Sequence, residues 1–161
     1  MTEISRKLAK VVTVSDGVIH GTREDKSGDA LSARLEADGW EIVDRRQIED
    51  GVESVRDTLI ALADGFNGLI VTTGGTGFGP RDLTPEGTSA ALEREADGMA
   101  EAMRLTNPNG LGRLSRARAG TRGQAVIINT PGSTKGTVET LEAVLDVLPH
   151  AVDLVGGGRP H

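Results

Sequence analysis

Gly74, Gly75, Gly77 and Gly79, with Thr76 among them, stand between an apolar stretch and a helix start, and Arg81 and Asp82 follow in the same turn. Glycines let the backbone approach a ligand closely. A strand that passes through such a loop into a helix offers its N–H groups to an anion, usually a phosphate. Asp82 does not suit anion binding alone; it suits a phosphate held together with a divalent cation. The spacing is neither the lysine-bearing nucleotide loop nor the dinucleotide fingerprint, since no GxxxxGK[ST] occurs and Pro80 stands where a third glycine would be needed. The other reading is a tight turn whose glycines only satisfy geometry.

Asp50 is a second carboxylate at the end of a strand-like run, so Asp50 and Asp82 can face one cleft. There they would hold Mg²⁺ against phosphate oxygens, or one would orient a nucleophile. Alternatively Asp50 opens the next helix and Asp82 caps a turn near Thr84. The segment Thr130-Pro131-Gly132-Ser133-Thr134 precedes a helical pattern and either receives a second anion or simply starts that helix. Arg113, Arg116, Arg118 and Arg122 read as a solvated helix face or, with Ser115 and Gly120 among them, as a phosphate anchor. Ser115 has no nearby His to activate it as a nucleophile. Phe78 either stacks on a ring or plugs the loop onto the core, and the plug is the expectation. His20 lies in a polar loop and is expected to be exposed.

These residues must be positioned by alternating strands and helices. Residues 8–14 (LAKVVTV) read as a strand that ends in Ser15-Asp16-Gly17, followed by a loop to Ser27-Gly28 and a helix over 29–37 that stops at Gly39. Residues 40–48 read as a more charged strand near an edge. Val52, Val55, Leu59 and Leu62 share one helix face, and 68–73 (GLIVTT) reads as a central parallel strand. Thr84 suits an N-cap with Pro85 at the first helical position. Helical pieces are expected over 85–95 and 98–106, a turn at 107–110 and a short helix over 111–119. A buried strand over 124–129 follows. The last helix carries Val138, Leu141, Val144, Leu145 and Leu148; Pro149 weakens or restarts it, and the GGGRPH tail frays. Such alternation implies an α/β protein with a mostly parallel sheet covered on both faces. Ligands of open α/β sheets sit outside the carboxyl ends of the strands. The turns at 15–16, 49–51, 74–82 and 129–134 are therefore expected on one rim.

Composition narrows the setting. The 161 residues suit one domain spanning 1–161, and 22 glycines imply many turns. Trp40, Phe66 and Phe78 are the only aromatics, so the core rests on Val, Ile, Leu and Ala. A net charge of -6 and a pI near 5.1 argue against a nucleic-acid surface. Without Cys there is neither a disulfide framework nor a thiol nucleophile, and the three His lack HExxH spacing. No apolar run approaches the roughly 18 residues of a membrane span, so a soluble, cytoplasmic protein is expected.

The run Gly74-Gly75-Thr76-Gly77-Phe78-Gly79-Pro80-Arg81-Asp82-Leu83-Thr84-Pro85-Glu86 resembles the molybdenum-cofactor biosynthesis family that includes Mog and MoaB, the molybdopterin adenylyltransferases. Val14-Ser15-Asp16, Asp25-Lys26-Ser27-Gly28, Glu49-Asp50, Leu114-Ser115-Arg116, Ala119-Gly120-Thr121-Arg122-Gly123 and Asn129-Thr130-Pro131-Gly132-Ser133 extend the likeness over nearly the whole chain. The resemblance implies a three-layer α/β/α molybdopterin-binding fold, assembled as a homotrimer. It implies transfer of AMP from ATP to molybdopterin with Mg²⁺, releasing pyrophosphate, and transient contact with the molybdenum-insertion protein. It places the catalytic, metal-holding carboxylates on Asp50 and Asp82, and ATP and its phosphates on Gly74, Gly75, Thr76, Gly77 and Gly79. It places molybdopterin against Ser15, Asp16, Ser115, Arg116, Pro131, Gly132 and Ser133. Two turns, Ile48-Glu49-Asp50-Gly51 and PGSTKG, depart from the family's commoner forms. A non-catalytic pterin-binding or carrier paralogue is the alternative, and a nucleotide hydrolase of the same fold a more distant one.

Overall fold

The computed structural model describes residues 6–106 and 110–158. The turn expected at 107–110 lies outside them except for Gly110, and so do the last residues, 159–161, of the tail. Strands β1 (Leu8–Val14), β2 (Glu41–Ile48) and β3 (Gly68–Thr73) alternate with helices α1 (Asp16–Ile19), α2 (Lys26–Ala37) and α3 (Val52–Ala63). Helix α4 (Thr84–Ala91), strand β4 (Arg94–Glu95) and helix α5 (Asp97–Leu105) follow, then a 3₁₀ turn (Leu111–Leu114). Strands β5 (Ala119–Arg122) and β6 (Ala125–Thr130) and helices α6 (Thr134–Glu142) and α7 (Leu148–Val155) complete the described chain.

The sheet order is β2-β1-β3-β6-β5-β4. Pairings β1–β2, β1–β3 and β3–β6 are parallel, whereas β5 and β4 add antiparallel strands at one side. Because side chains alternate along a strand, Leu69 and Val71 face one way and Ile70 the other. The first set packs with Leu31 and Leu35 of α2, Leu141 of α6 and Leu148 and Val152 of α7. The second packs with Val55, Leu59 and Leu62 of α3 and Ala91 of α4. Three layers result, with helices on both faces of a mostly parallel sheet. The charged strand β2 lies at the sheet edge, as its alternating exposure requires. Among the described residues no helix is long and apolar enough to cross a membrane.

Several local expectations are corrected. Helix α2 starts at Lys26, not residue 29, because Asp25 caps it by accepting the Gly28 N–H at 3.1 Å. Ser15 similarly caps the short α1, which no apolar periodicity announces. Helix α4 ends at Ala91, and the following residues pair as β4 with β5. The helix expected over 111–119 shortens to a 3₁₀ turn, after which 119–122 extend to satisfy the edge of β6. Pro149 does restart the last helix, sitting in the first turn of α7, and Gly157 and Gly158 donate back to Leu154 and Asp153 rather than fraying.

Candidate active site

Chain order places β1 between β2 and β3. The connection after β1 runs to β2 on one side and the connection after β3 runs to the strands on the other, so a crevice opens at the strand ends between them. A cleft of about 990 Å³ lies there, lined by residues of the turns after β1, β2, β3 and β6. Ser15, Asp50, Gly74, Gly75, Thr76, Gly77, Asp82, Ser115, Pro131, Gly132 and Ser133 all line it. Asp16, Gly79 and Arg116 do not, and each is engaged by protein groups instead.

The glycine loop is held by close backbone contact. Gly74 has φ +103°, and a Cβ there would lie 2.3 Å from the Val14 carbonyl oxygen. Gly75 has φ +70°, and its Cβ would meet the Thr84 hydroxyl at 2.3 Å and Asp50 Oδ1 at 3.1 Å. Only glycine fits either position. The Thr84 hydroxyl donates to the Gly74 carbonyl at 2.9 Å instead of capping α4; Leu83 occupies the cap position and Thr84 the first turn. That corrects the expected N-cap. Phe78 is 73% exposed, so it does not plug the loop onto the core. Beyond Gly74, whose N–H pairs with Thr130, the N–H groups of Gly75, Thr76 and Gly77 have no hydrogen-bond partner among the described residues. They are the donors an anion would take.

Buried hydroxyls and one amide fix the floor. Asn129 donates to the Thr72 and Thr88 hydroxyls at 3.0 and 2.9 Å and accepts the Arg118 N–H at 3.0 Å. Thr130 donates to the Thr72 carbonyl at 2.7 Å, and Thr73 to the Pro131 carbonyl at 2.8 Å. Ser133 caps α6 by accepting the Gly136 N–H at 3.0 Å. The helix starting at Thr134 therefore aims its N-terminus at the cleft rim.

The two acids are held differently. Asp82 accepts the Gly79 N–H at 2.9 Å, which folds its carboxylate under the glycine loop. Asp50 and Asp16 exchange hydrogen bonds. The Asp16 N–H donates to Asp50 Oδ2 at 2.9 Å, and the Asp50 N–H donates to Asp16 Oδ1 at 3.1 Å. Burial pushes the Asp50 carboxyl above its ordinary value, the Asp16 hydrogen bond opposes this, and the charges of Asp16 and Asp82 add to it. Asp16 itself is held below its ordinary value by Arg81.

The arginines of the cluster over residues 113–122 bond to other protein groups. Arg116 donates to the Gly77 carbonyl at 3.0 Å and the Asp82 carbonyl at 2.7 Å and pairs with Glu86. It shapes the loop from behind. Arg113 bonds the Gly110 carbonyl, Arg118 pairs with Glu95, and Arg122 bonds the Ala91 carbonyl. The basic side chains lining the cleft are Arg23 and Lys26, which the local arginine cluster does not reveal. The Asp25-Lys26-Ser27-Gly28 run marks the place: Asp25 also accepts from Thr13, Arg45 and Gln47, fixing the start of α2 beside the cleft. His20 is exposed, as expected. Together these groups can seat two anionic ligands against one pair of carboxylates.

A family model described as a probable molybdopterin binding domain matches residues 10–150. The molybdopterin adenylyltransferase of Helicobacter pylori (strain J99) is 37% identical over 159 residues, covering 91% of this chain and 86% of that protein. The molybdopterin adenylyltransferase of Escherichia coli K12 is 38% identical over 144 residues, covering 84% of this chain and 72% of that protein. The crystal structure of the molybdopterin biosynthesis enzyme MoaB from Thermus thermophilus superposes with a TM-score of 0.88 at 42% identity, over 94% of this chain and 97% of that one. With a family model over most of its length, relatives above 30% identity and a shared fold, the chain belongs to the molybdopterin-binding family of molybdenum cofactor biosynthesis proteins.

Proposed function

We propose that this protein is a molybdopterin adenylyltransferase, which transfers AMP from ATP to the terminal phosphate of molybdopterin and releases pyrophosphate. The naming of the Helicobacter and Escherichia relatives supports the activity. The observation that carries the reading is the meeting of Asp50, Asp82 and the unpaired N–H groups of Gly75–Gly77 in one cleft. The chain acts as one domain over 1–161, works in the cytoplasm as a homotrimer, and meets the molybdenum-insertion protein transiently to pass on its product.

A phosphate oxygen of molybdopterin attacks the α-phosphorus of ATP, a new P–O–P link forms, and the bond to pyrophosphate breaks. A phosphate nucleophile is already an anion and needs no strong base, so positioning and charge neutralisation carry the step. Gly74, Gly75, Thr76, Gly77 and Gly79 form the loop that receives the nucleotide phosphates. Ser15, Ser115 and the Pro131-Gly132-Ser133 turn bound the pterin side, with Arg23 and Lys26 supplying positive charge.

Asp50 and Asp82 suit Mg²⁺. Two partly buried carboxylates facing an anionic ligand would repel it; burial, with smaller contributions from the charges of Asp16 and Asp82, already raises Asp50. Among the described residues no cluster of three or more metal-binding side chains occurs. A cation here would be held by one or two carboxylates and completed by phosphate oxygens and water. Mg²⁺ held there would supply positive charge against the phosphate oxygens.

The deciding experiment incubates the protein with ATP, Mg²⁺ and molybdopterin and follows pyrophosphate and adenylylated product. Asp82→Asn is expected to keep the fold and the affinity for molybdopterin while losing turnover by ~10²-fold or more. Normal turnover in that variant removes Asp82 from the chemistry. Pterin binding without any product in the wild type identifies a carrier instead, and nucleotide hydrolysis without pterin identifies a hydrolase.

A further inference from the structure

We propose that Arg81 and Asp16 are positioning residues that set the separation of the two acids, Asp50 and Asp82; this deepens, and rests on, the adenylyl-transfer reading. One peptide bond joins Arg81 to Asp82. Its guanidinium bridges to the other acid: Nε donates to Asp16 Oδ2 at 3.0 Å, and Nη2 donates both to Asp16 Oδ1 at 3.2 Å and to the Asp50 carbonyl oxygen at 2.9 Å. Asp16 grips Asp50 at both ends, through its N–H to the carboxylate and through its carboxylate to the Asp50 N–H. Asp50 is therefore fixed in backbone and side chain, and its Oδ1 stays beside Gly75.

This clamp joins the turns after β1, β2 and β3, which no other side chain among the described residues bridges in this way. A planar fork is required, because it must meet both oxygens of Asp16 and a carbonyl at once. Stability does not explain the arrangement. The Arg81 side chain is 60% exposed, and exposed ion pairs contribute little to folding. Nor does ligand contact, since both Asp16 oxygens are occupied by protein donors and Asp16 does not line the cleft. What the clamp provides is a fixed distance between acids that must act together, where small misplacements are costly.

Arg81→Ala, Asp16→Ala, the double variant and Arg81→Lys are assayed for adenylyl transfer from ATP to molybdopterin, and the Arg81→Ala and Arg81→Lys proteins are crystallised beside the wild type. Each alanine variant is expected to lower kcat by ~10- to 100-fold with KM within ~3-fold. The double variant is expected to be no worse than the weaker single one, because both side chains serve one device. Arg81→Lys recovers only part of the loss. In the crystals, Asp50 should leave the Asp16 N–H or change its distance from Asp82. Unchanged kcat in Arg81→Ala, a loss confined to KM, losses that multiply, or acids that stay in place would each overturn the proposal. A wild type that forms no adenylylated product defeats the functional reading instead, and the crystallographic comparison then decides the clamp alone.

Discussion

At the scale of single residues, Asp50 and Asp16 form a pair with opposite acid–base behaviour. Burial raises the Asp50 carboxyl, so the folded chain holds that proton more tightly than the unfolded chain. The associated stability is complete below the unfolded value and is lost as pH rises through the raised folded value. At neutral pH Asp50 is thus a partly buried charge that weakens the fold it serves. Asp50→Asn removes the charge and keeps an acceptor for the Asp16 N–H. The variant is expected to melt a few degrees above the wild type at neutral pH, with the gap closing as pH falls toward about 4, while product formation collapses. Thermal scans across that range check this, and a variant that melts lower at neutral pH would show that its partners outweigh the burial. Asp16 runs the other way. Arg81 lowers its carboxyl, so its contribution is present above the unfolded value and disappears only as pH falls through the lowered one. The clamp on Asp50 therefore stays charged across the neutral range.

At the scale of elements, the strand ends and the glycine loop constrain one another through backbone contact. Gly74→Ala would drive a methyl group into the Val14 carbonyl, in a backbone conformation that L side chains rarely adopt. Gly21 offers a control, since its φ is +75° but nothing lies within 4 Å of an added Cβ. Urea unfolding is expected to show a loss of about 1 kcal/mol for Gly21→Ala, from the left-handed backbone alone. Gly74→Ala should lose more than about 3 kcal/mol. Equal losses would mean that β1 and the loop after β3 can separate without cost. The same contacts explain why α4 departs from its expected start. Thr84 has the side chain of a helix cap, yet its hydroxyl is better used on the buried Gly74 carbonyl, which has no other donor among the described residues.

At the scale of the whole molecule, the described chain exposes Ile19, Val43, Leu105 and Leu154, each more than two-fifths accessible. Isolated apolar residues on a surface are ordinary, so they carry no argument about assembly, and the proposed trimer rests on the family resemblance. Sedimentation equilibrium is expected to give the mass of three 16.8 kDa chains, and a monomer at micromolar concentration would refute the assembly. The layered fold was legible in residue order alone. Runs such as GLIVTT and the spaced Val55, Leu59 and Leu62 carry their period in sequence, and burial of both sheet faces follows from it. The strands β4 and β5 were not legible, because residues as short and polar as Arg94-Glu95 and Ala119–Arg122 extend only when β6 offers an edge. The glycine loop and its acids were likewise visible as a candidate anion site, since such a site needs local backbone freedom and nearby N–H groups. Partnership was not visible. Whether Arg116 meets a ligand or braces Asp82, whether Asp16 faces the cleft or holds Asp50, and which cations line the pocket depend on distances between residues tens of positions apart. Those distances exist only once the sheet has brought four strand ends to one rim.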